Sequence, residues 1–490
     1  MNTLQALVRI QGSVAPFAGR ARTPRSHPAR TVVIVGAGFS GTAVAIHLLR
    51  LPHSQPLRIV LVERAQVARG VAYARREKPY PLNVPAARMS ASSADPLEFL
   101  AYAQRTLPRA TGADYLPREL YGQYLESSLL NAALASPPHV RLERVHREAI
   151  AVERARRTFA LEVYLEDGGR ITADSVVLAT GNPPPAAVPG SETVRDGRYV
   201  ADPWQTPVAL RAGETVLVAG TGLTMADIVL GGQEPARGRA TIHAISRHGL
   251  TPAPQTDFQQ IHDECHGPAL MRGASVSIRY LVREVRALAE DIERRGGDWR
   301  EAIAAVRGVA PMLWQRLTTQ ERRRFLRHVQ CYWDVHRHRL PQRTWSALNE
   351  LRRKGRLHVH AGRILGLESV GKPLRVTWQA RGGSTATTFL VDRVVNCTGP
   401  QYGVRHTRER LLRSLIAQGL AVSDSLGLGI ATDGFGALIG ASGRVAANLY
   451  YIGPMLRPRY WETTAVQELR THAEQLACHL AVPARSRASA

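Results

Sequence analysis

Two Rossmann-like dinucleotide-binding domains in one α/β chain, the first discontinuous and the second carrying a helical insertion, are what this 490-residue sequence predicts. Three observations lead there. Residues 31–63 and 215–247 each run in the order strand, glycine loop, helix, strand. Two further apolar strands, at residues 175–179 and 393–396, are followed by Thr-Gly and mark where the chain passes between nucleotide units. Between residues 251 and 350 the pattern changes to a long, arginine-rich and mostly helical stretch. The expected boundaries are a disordered or targeting tail at 1–30, a first domain at 31–210 and 376–482, and a second domain at 211–375 with its insertion at about 251–350.

The composition is that of a globular protein, since 44% apolar residues can bury the cores of two or three domains. The most hydrophobic segment, residues 31–49, is interrupted by three glycines and His47, so no membrane span is expected. Cys265, Cys331, Cys397 and Cys478 lie far apart and form no C-x-x-C pair. That argues against a disulfide framework or a paired-thiol redox centre and fits a cytoplasmic, reducing location. The net charge of +24 comes almost wholly from arginine, as Lys78, Lys354 and Lys372 are the only lysines. No nucleic-acid motif accompanies it, so no nucleic-acid partner is expected. It fits a solvated basic surface, or a field that draws in a small anionic substrate and a phosphate-rich cofactor. Residues 1–30 carry five arginines and no acid, and stand outside the predicted fold.

In the first unit, residues 31–35 are all β-branched, as in a strand buried on both faces of a parallel sheet. Gly36-Ala37-Gly38-Phe39-Ser40-Gly41 follows, then a helix to Leu49 and a second strand, residues 58–62, ending at Glu63. G-x-G-x-x-G alone is a weak signal, but between a strand and a helix it describes a nucleotide loop. Gly36 permits the tight turn, Gly38 lets the backbone approach a pyrophosphate, and Gly41 allows the helix to close on the sheet. Ser40 lies in the same loop, and Glu63 stands where an acid accepts hydrogen bonds from an adenosine ribose. FAD is the expected cofactor.

The second unit has its strand at residues 215–219 and its loop at Gly220-Thr221-Gly222-Leu223-Thr224, with Met225 where a third glycine would stand. The next strand, residues 241–245, leads to Ser246-Arg247-His248 instead of to an acid. An arginine there suits the 2′-phosphate of NADPH, which a carboxylate would repel. Gly220, Gly222, Thr224 and Arg247 are thus the expected NADPH contacts. Gly181 and Gly399, at the two Thr-Gly crossings, would let the backbone pass close to FAD.

Other constellations carry weaker chemistry. His262-Asp263-Glu264-Cys265-His266 offers metal-ligand types, but adjacent residues rarely converge on one ion, so a polar loop and no metal are expected. Cys397 sits in a crossing, where a small buried side chain is expected. Residues 280–294 and 318–338 have the spacing of amphipathic helices. Within the latter, Trp333, His336 and Arg337 fall on neighbouring positions, with Asp334 in reach of Arg337 or His338. Trp333, His336 and Arg337 are the candidate substrate residues, able to hold an anion or move protons, against the plainer reading of a solvated basic helix. No catalytic residue is assigned.

With both loops placed, the sequence resembles the FAD/NAD(P)-binding flavoproteins of two-dinucleotide-binding-domain architecture. The marks of a bacterial family of that type are Arg69-Gly70-Val71-Ala72-Tyr73, Leu82-Asn83-Val84-Pro85, Arg88-Met89-Ser90, Asn396-Cys397-Thr398-Gly399-Pro400 and Trp461-Glu462-Thr463-Thr464-Ala465. More distantly it is similar to the N-hydroxylating flavin monooxygenases, through Asp95-Pro96-Leu97-Glu98-Phe99 and Pro117-Arg118 followed by Tyr124-Leu125. The resemblance implies FAD contacts at Asn83 and Met89. Where many relatives have Gly-Asp in the tail, this chain has Gly453-Pro454, which leaves Gly453, Thr463 and Thr464 as the implied contacts. The lysine that holds an amino-acid carboxylate in the N-hydroxylating enzymes has no counterpart. The implied activity is an FAD-dependent oxidoreductase reduced by NADPH, and a monooxygenase that works through a flavin hydroperoxide on an amine or another small nucleophile. The alternatives are a flavin reductase or oxidase without oxygen insertion, and an FAD-binding sensor or scaffold.

Overall fold

The computed structural model describes residues 29–74, 80–155, 159–232, 240–256 and 277–482. The chain starts with β1 (Arg30–Val35), whose Val32, Val33 and Ile34 are fully buried, passes through the glycine loop into α1 (Phe39–Arg50), and returns as β2 (Leu57–Val62), parallel to β1. Next come α2 (Glu98–Gln104) and α3 (Arg118–Ala135), which place Phe99, Tyr121 and Tyr124 in the core beneath α1. Strand β3 (Val140–Val145) extends the parallel sheet beyond β2. A small antiparallel sheet of β4 (Ala149–Arg154), β5 (Leu161–Leu165) and β6 (Arg170–Ala173) follows. The chain then re-enters the first sheet as β7 (Ser175–Leu178), beside β1.

The second unit begins with the short β8 (Tyr199–Val200) and β9 (Thr215–Ala219), continues through α4 (Leu223–Gly232), and returns as β10 (Thr241–Ser246) parallel to β9. Four helices of the insertion are α5 (Ile278–Arg294), α6 (Arg300–Arg316), α7 (Thr319–His328) and α8 (Gln330–Arg337). Ser277 caps α5 and Thr318 caps α7, each hydroxyl accepting from a backbone N–H in the first turn. The stretch expected to be helical over 318–338 breaks at Val329, between α7 and α8. α9 (Gln342–Arg353) packs on α4 and leads into β11 (Leu357–Ser369), parallel to β10.

Strands β12 (Leu374–Ala380) and β13 (Ala386–Val391) form a meander on β11, and β14 (Arg393–Asn396) lies beside β9. The chain closes with α10 (Arg410–Ala417), β15 (Ala437–Ile439), β16 (Val445–Tyr451), α11 (Arg457–Tyr460) and α12 (Val466–Ala481).

The first sheet has the order β15-β16-β7-β1-β2-β3 and the second β13-β12-β11-β10-β9-β14-β8. The run β7-β1-β2-β3 is matched by β14-β9-β10-β11, so the second unit repeats the first. The second sheet includes Tyr199 and runs to Asn396, because the unit contains its own meander and return strand. No helix among the described residues is long and apolar enough to cross a membrane.

Candidate nucleotide sites

The first glycine loop is shaped by contacts that only glycine allows. Gly36 has φ +98°, and a Cβ there would stand 2.3 Å from the Ala179 carbonyl oxygen at the end of β7. A Cβ on Gly41 would stand 1.9 Å from the Gly36 carbonyl oxygen, so α1 closes on the loop because position 41 has no side chain. Gly38 differs, since its added Cβ would meet nothing closer than Gly70 Cα at 3.7 Å. Gly38 is also the N-cap of α1 and makes no side-chain cap, which leaves first-turn amides of α1 for an anion. Ser40 is buried in that turn.

Glu63 closes the loop from below. Its carboxylate accepts from the Ala37 N–H at 2.7 Å and from the Ala65 N–H at 2.9 Å. These bonds hold both oxygens at the edge of the loop, with lone pairs left for hydroxyl donors. Gly70, at φ +52°, brings its backbone over Gly38, and Arg69 anchors this crossing by a bidentate pair with Glu126 at 3.0 and 2.9 Å.

The two segments that carry the distant resemblance meet in space. Tyr124 donates to Glu98 at 2.7 Å and accepts from the Ala91 N–H at 2.9 Å, while Phe99 packs edge-on against Tyr121. Met89 is buried and Asn83 half-buried in the segment they brace.

In the tail, a Cβ on Gly453 (φ +133°) would lie 3.0 Å from the Tyr451 hydroxyl. That hydroxyl accepts from the Met455 N–H at 3.3 Å and donates to the Gly181 carbonyl at 3.5 Å. Thr463 is fully buried and donates to the Pro454 carbonyl at 3.0 Å, whereas Thr464 is exposed. Tyr451 therefore joins Gly181 to Gly453. Sequence reasoning missed it, although it is the last residue of the strand before Ile452-Gly453.

The second loop repeats the first. Gly220 has φ +109°, and its Cβ would stand 2.4 Å from the Cys397 carbonyl oxygen at the end of β14, as Gly36 does against Ala179. Gly222 has no atom within 4 Å of an added Cβ, so its backbone faces open space, and Thr224 is half-buried in the first turn of α4. Met225, where a third glycine would stand, is fully buried in the core. Thr221 ties the loop to β10 through the Ser246 hydroxyl at 2.8 Å. Burial raises the Cys397 thiol far above its ordinary pKa, so it stays protonated and is no nucleophile. Gly181 (φ +73°) and Gly399 (φ +83°) turn the two crossings toward each other. Pro185 and Pro400 pair there as a bridge, and the Asn396 amide donates to the Ala186 carbonyl at 2.8 Å.

Arg247 lies exposed just past β10. The candidate substrate residues separate. Trp333 Nε1 donates to Glu462 at 2.9 Å and Arg337 Nε to the other oxygen of Glu462 at 3.1 Å, while Glu468 lies 3.7 Å from Arg337. Glu462 is 3% exposed. Arg337 thus already has two carboxylates, and it ties the insertion to the tail. His336 turns away, its Nδ1 on the Tyr332 carbonyl at 2.7 Å and its ring edge-on to Trp299. Asp334 meets Gln330 at 3.3 Å rather than Arg337 or His338. Trp461 has φ +59° and ψ −58°, and the Glu462 N–H bonds to the Tyr460 carbonyl at 2.7 Å across it. This is a γ-turn of the rare, strained hand. It drives the Trp461 ring between Trp314 and Phe325 of the insertion. The His262–His266 run lies outside the described residues, and no metal-binding group of His, Cys, Asp or Glu occurs among those described.

Comparison with known proteins agrees with this geometry. Residues 33–183 match the family model described as FAD-NAD(P)-binding. No curated protein matches the sequence. Among solved structures, an ornithine N-hydroxylase of Kutzneria sp. 744, solved with reduced FAD, NADP+ and L-ornithine, superposes with a TM-score of 0.62 at 17% identity, over 94% of this chain and 100% of that one. The L-lysine 6-monooxygenase of Pseudomonas syringae gives 0.61 at 17% identity over 93% and 100%. The reduced ornithine hydroxylase of Pseudomonas aeruginosa gives 0.61 at 14% over 93% and 99%. The chain therefore has the two-dinucleotide-binding-domain flavoprotein fold.

Proposed function

We propose that this chain is an FAD-dependent oxidoreductase reduced by NADPH, and that it acts as a monooxygenase on an amine or another small nucleophile. The observation that carries the reading is the repeated cradle. Gly36 against Ala179 and Gly220 against Cys397 make two nucleotide loops of one construction, joined where Pro185 pairs with Pro400. The first loop fits FAD: Gly38 and Gly70 leave backbone room for a pyrophosphate, α1 offers its amides, and Glu63 is held for the ribose. The second fits NADPH, with the bare backbone of Gly222 for the pyrophosphate and Arg247 for the 2′-phosphate.

When bound, the two cofactors supply hydride transfer from nicotinamide to flavin and the reaction of reduced flavin with oxygen. The chain's own residues bind, orient and exclude water. Trp461, Trp314 and Phe325 seal the junction of tail and insertion, and Glu462 holds α8 against the tail through Trp333 and Arg337. Among the described residues Cys331, Cys397 and Cys478 are free thiols, so no dithiol stands ready to take electrons. Likeness over more than nine-tenths of the chain to N-hydroxylating enzymes supports the monooxygenase reading.

The test starts from the purified protein, which should be yellow and release FAD on denaturation. NADPH should bleach it anaerobically. On admitting oxygen with a panel of aliphatic amines, ornithine and lysine among them, at least one should yield an oxygenated product in proportion to NADPH consumed. Protein that takes up no FAD overturns the whole reading, and stoichiometric hydrogen peroxide with every amine overturns the monooxygenase part.

A further inference from the structure

Beyond the end of β10, the second domain and the insertion enclose an open cleft of 440 Å³. Arg247 and His248 enter it from β10, Arg327 from the last turn of α7, Arg363 from β11, and Arg381 from the turn between β12 and β13. No acidic residue lines it. Elsewhere arginines meet carboxylates directly, as in Arg58–Glu143, Arg118–Asp227 and Arg393–Glu214. Here four arginines from four elements line one cleft with no carboxylate among its lining, a setting that suits a bound dianion.

We propose that Arg327, Arg363 and Arg381 join Arg247 in a seat for a phosphomonoester dianion, the 2′-phosphate of NADPH, so that the insertion and the β12–β13 turn select the nicotinamide cofactor. The inference rests on the NADPH reading above and extends it to residues far from the glycine loop. Guanidinium forks bond phosphate oxygens in pairs, and several can share one phosphate. The cleft is in the size range of small-molecule sites, larger than a bare phosphate needs, and so accommodates the sugar that carries it. His248 contributes differently. Its Nδ1 accepts from Arg381 Nη1, and burial, then the charges of Arg381 and Arg247, hold its pKa below the ordinary value. A neutral imidazole thus aims Arg381 without adding a charge. Because α7 belongs to the insertion, a phosphate held there bridges insertion and nucleotide domain.

The experiment titrates the FAD-loaded protein with 2′,5′-ADP, 5′-ADP, ribose 5-phosphate and inorganic phosphate by calorimetry, so the readout does not depend on turnover. The native protein should bind 2′,5′-ADP at least about tenfold more tightly than 5′-ADP. Arg327→Ala and Arg381→Ala should each lower that ratio on the order of tenfold, and rising salt should lower it too. Arg353→Ala, exposed at the end of α9, should leave it unchanged, and unaltered flavin absorbance shows that each variant is folded. Equal affinity for the two nucleotides overturns the proposal, as does a ratio that neither variant changes. If inorganic phosphate or ribose 5-phosphate competes as strongly as 2′,5′-ADP, the seat serves free phosphates and the assignment to NADPH fails. Flavin reduction by NADH alone, with no 2′,5′-ADP binding, overturns this inference but leaves the oxidoreductase standing. Selective 2′,5′-ADP binding in a protein whose flavin no nicotinamide reduces supports the seat and overturns the oxidoreductase.

Discussion

Gly220 stands against Cys397 as Gly36 stands against Ala179: in each pair a Cβ on the glycine would lie within 2.4 Å of the carbonyl oxygen that ends the return strand. Both glycines also have positive φ. Alanine there meets a backbone clash and a strained conformation together, the latter alone costing about 1–3 kcal/mol. The two positions serve different nucleotides, so their defects should separate. Gly36→Ala should abolish FAD retention, whereas Gly220→Ala should keep FAD and lose reduction by NADPH. Absorbance of the purified variants and anaerobic titration with NADPH distinguish the two. Loss of FAD from both variants to the same extent would show that the loops are not independent.

Gly38 provides the complementary case. Its missing Cβ would meet only Gly70 Cα, at an ordinary 3.7 Å, so the apoprotein has room for a small side chain. Gly38→Val should fold with a melting temperature within a few degrees of the wild-type apoprotein and bind FAD at least about a hundredfold more weakly, because the side chain occupies ligand space. Thermal melts of both apoproteins and FAD titration check it. A variant that unfolds, or that binds FAD normally, contradicts a pyrophosphate at this position.

What was legible in the sequence is what lies close along the chain. Gly36, Gly38, Gly41 and Glu63 fall within one strand-loop-helix-strand unit, and a local pattern describes them fully. The Gly70 crossing, Tyr451 between Gly181 and Gly453, and the meeting of Arg247 with Arg327 and Arg381 depend on tertiary packing, which local periodicity does not encode. The strands that follow residue 375 make the same point. Nothing local to residues 386–391 says which sheet receives them, and pairing with β12 assigns them to the second. Arg337 was read as a ligand for an anion, and the anion it meets is the chain's own Glu462, 125 residues away.

That pair should be costly to break. Glu462 is 3% exposed and satisfies both Trp333 Nε1 and Arg337 Nε, while burial pulls the Arg337 pKa below its usual value. Removing the carboxylate leaves a buried guanidinium with only the more distant Glu468, for which about 3–5 kcal/mol is the usual cost. Glu462→Ala should lower stability by that amount. Glu462→Gln, which keeps an oxygen for Trp333, should lose less. Urea unfolding of the FAD-loaded protein measures both. Equal stability of Glu462→Ala and wild type would show that the insertion does not depend on this tie.

Asp334 makes the fold's stability depend on pH. Burial in α8 raises its carboxyl from 3.8 to about 6, with Arg457 and Gln330 opposing and Glu462 adding. The folded protein therefore binds this proton more tightly than the unfolded chain. Between about pH 4 and 6 the native state holds more protons, so the Asp334 contribution to stability falls as pH rises through that window. Above it, a buried carboxylate costs about 3 kcal/mol. Two half-buried histidines slope the other way: desolvation lowers His338 to about 3 and His472 to about 4, and each loses stability as pH falls below the ordinary histidine value of 6.5. The melting temperature of the wild type alone mixes these effects. The difference between wild type and Asp334→Asn isolates one, because asparagine mimics the protonated acid and keeps a partner for Gln330. The variant should match wild type near pH 4 and exceed it progressively to about 3 kcal/mol by pH 7. Parallel stability curves for the two proteins from pH 4 to 7 would mean that Asp334 titrates alike in the folded and unfolded states.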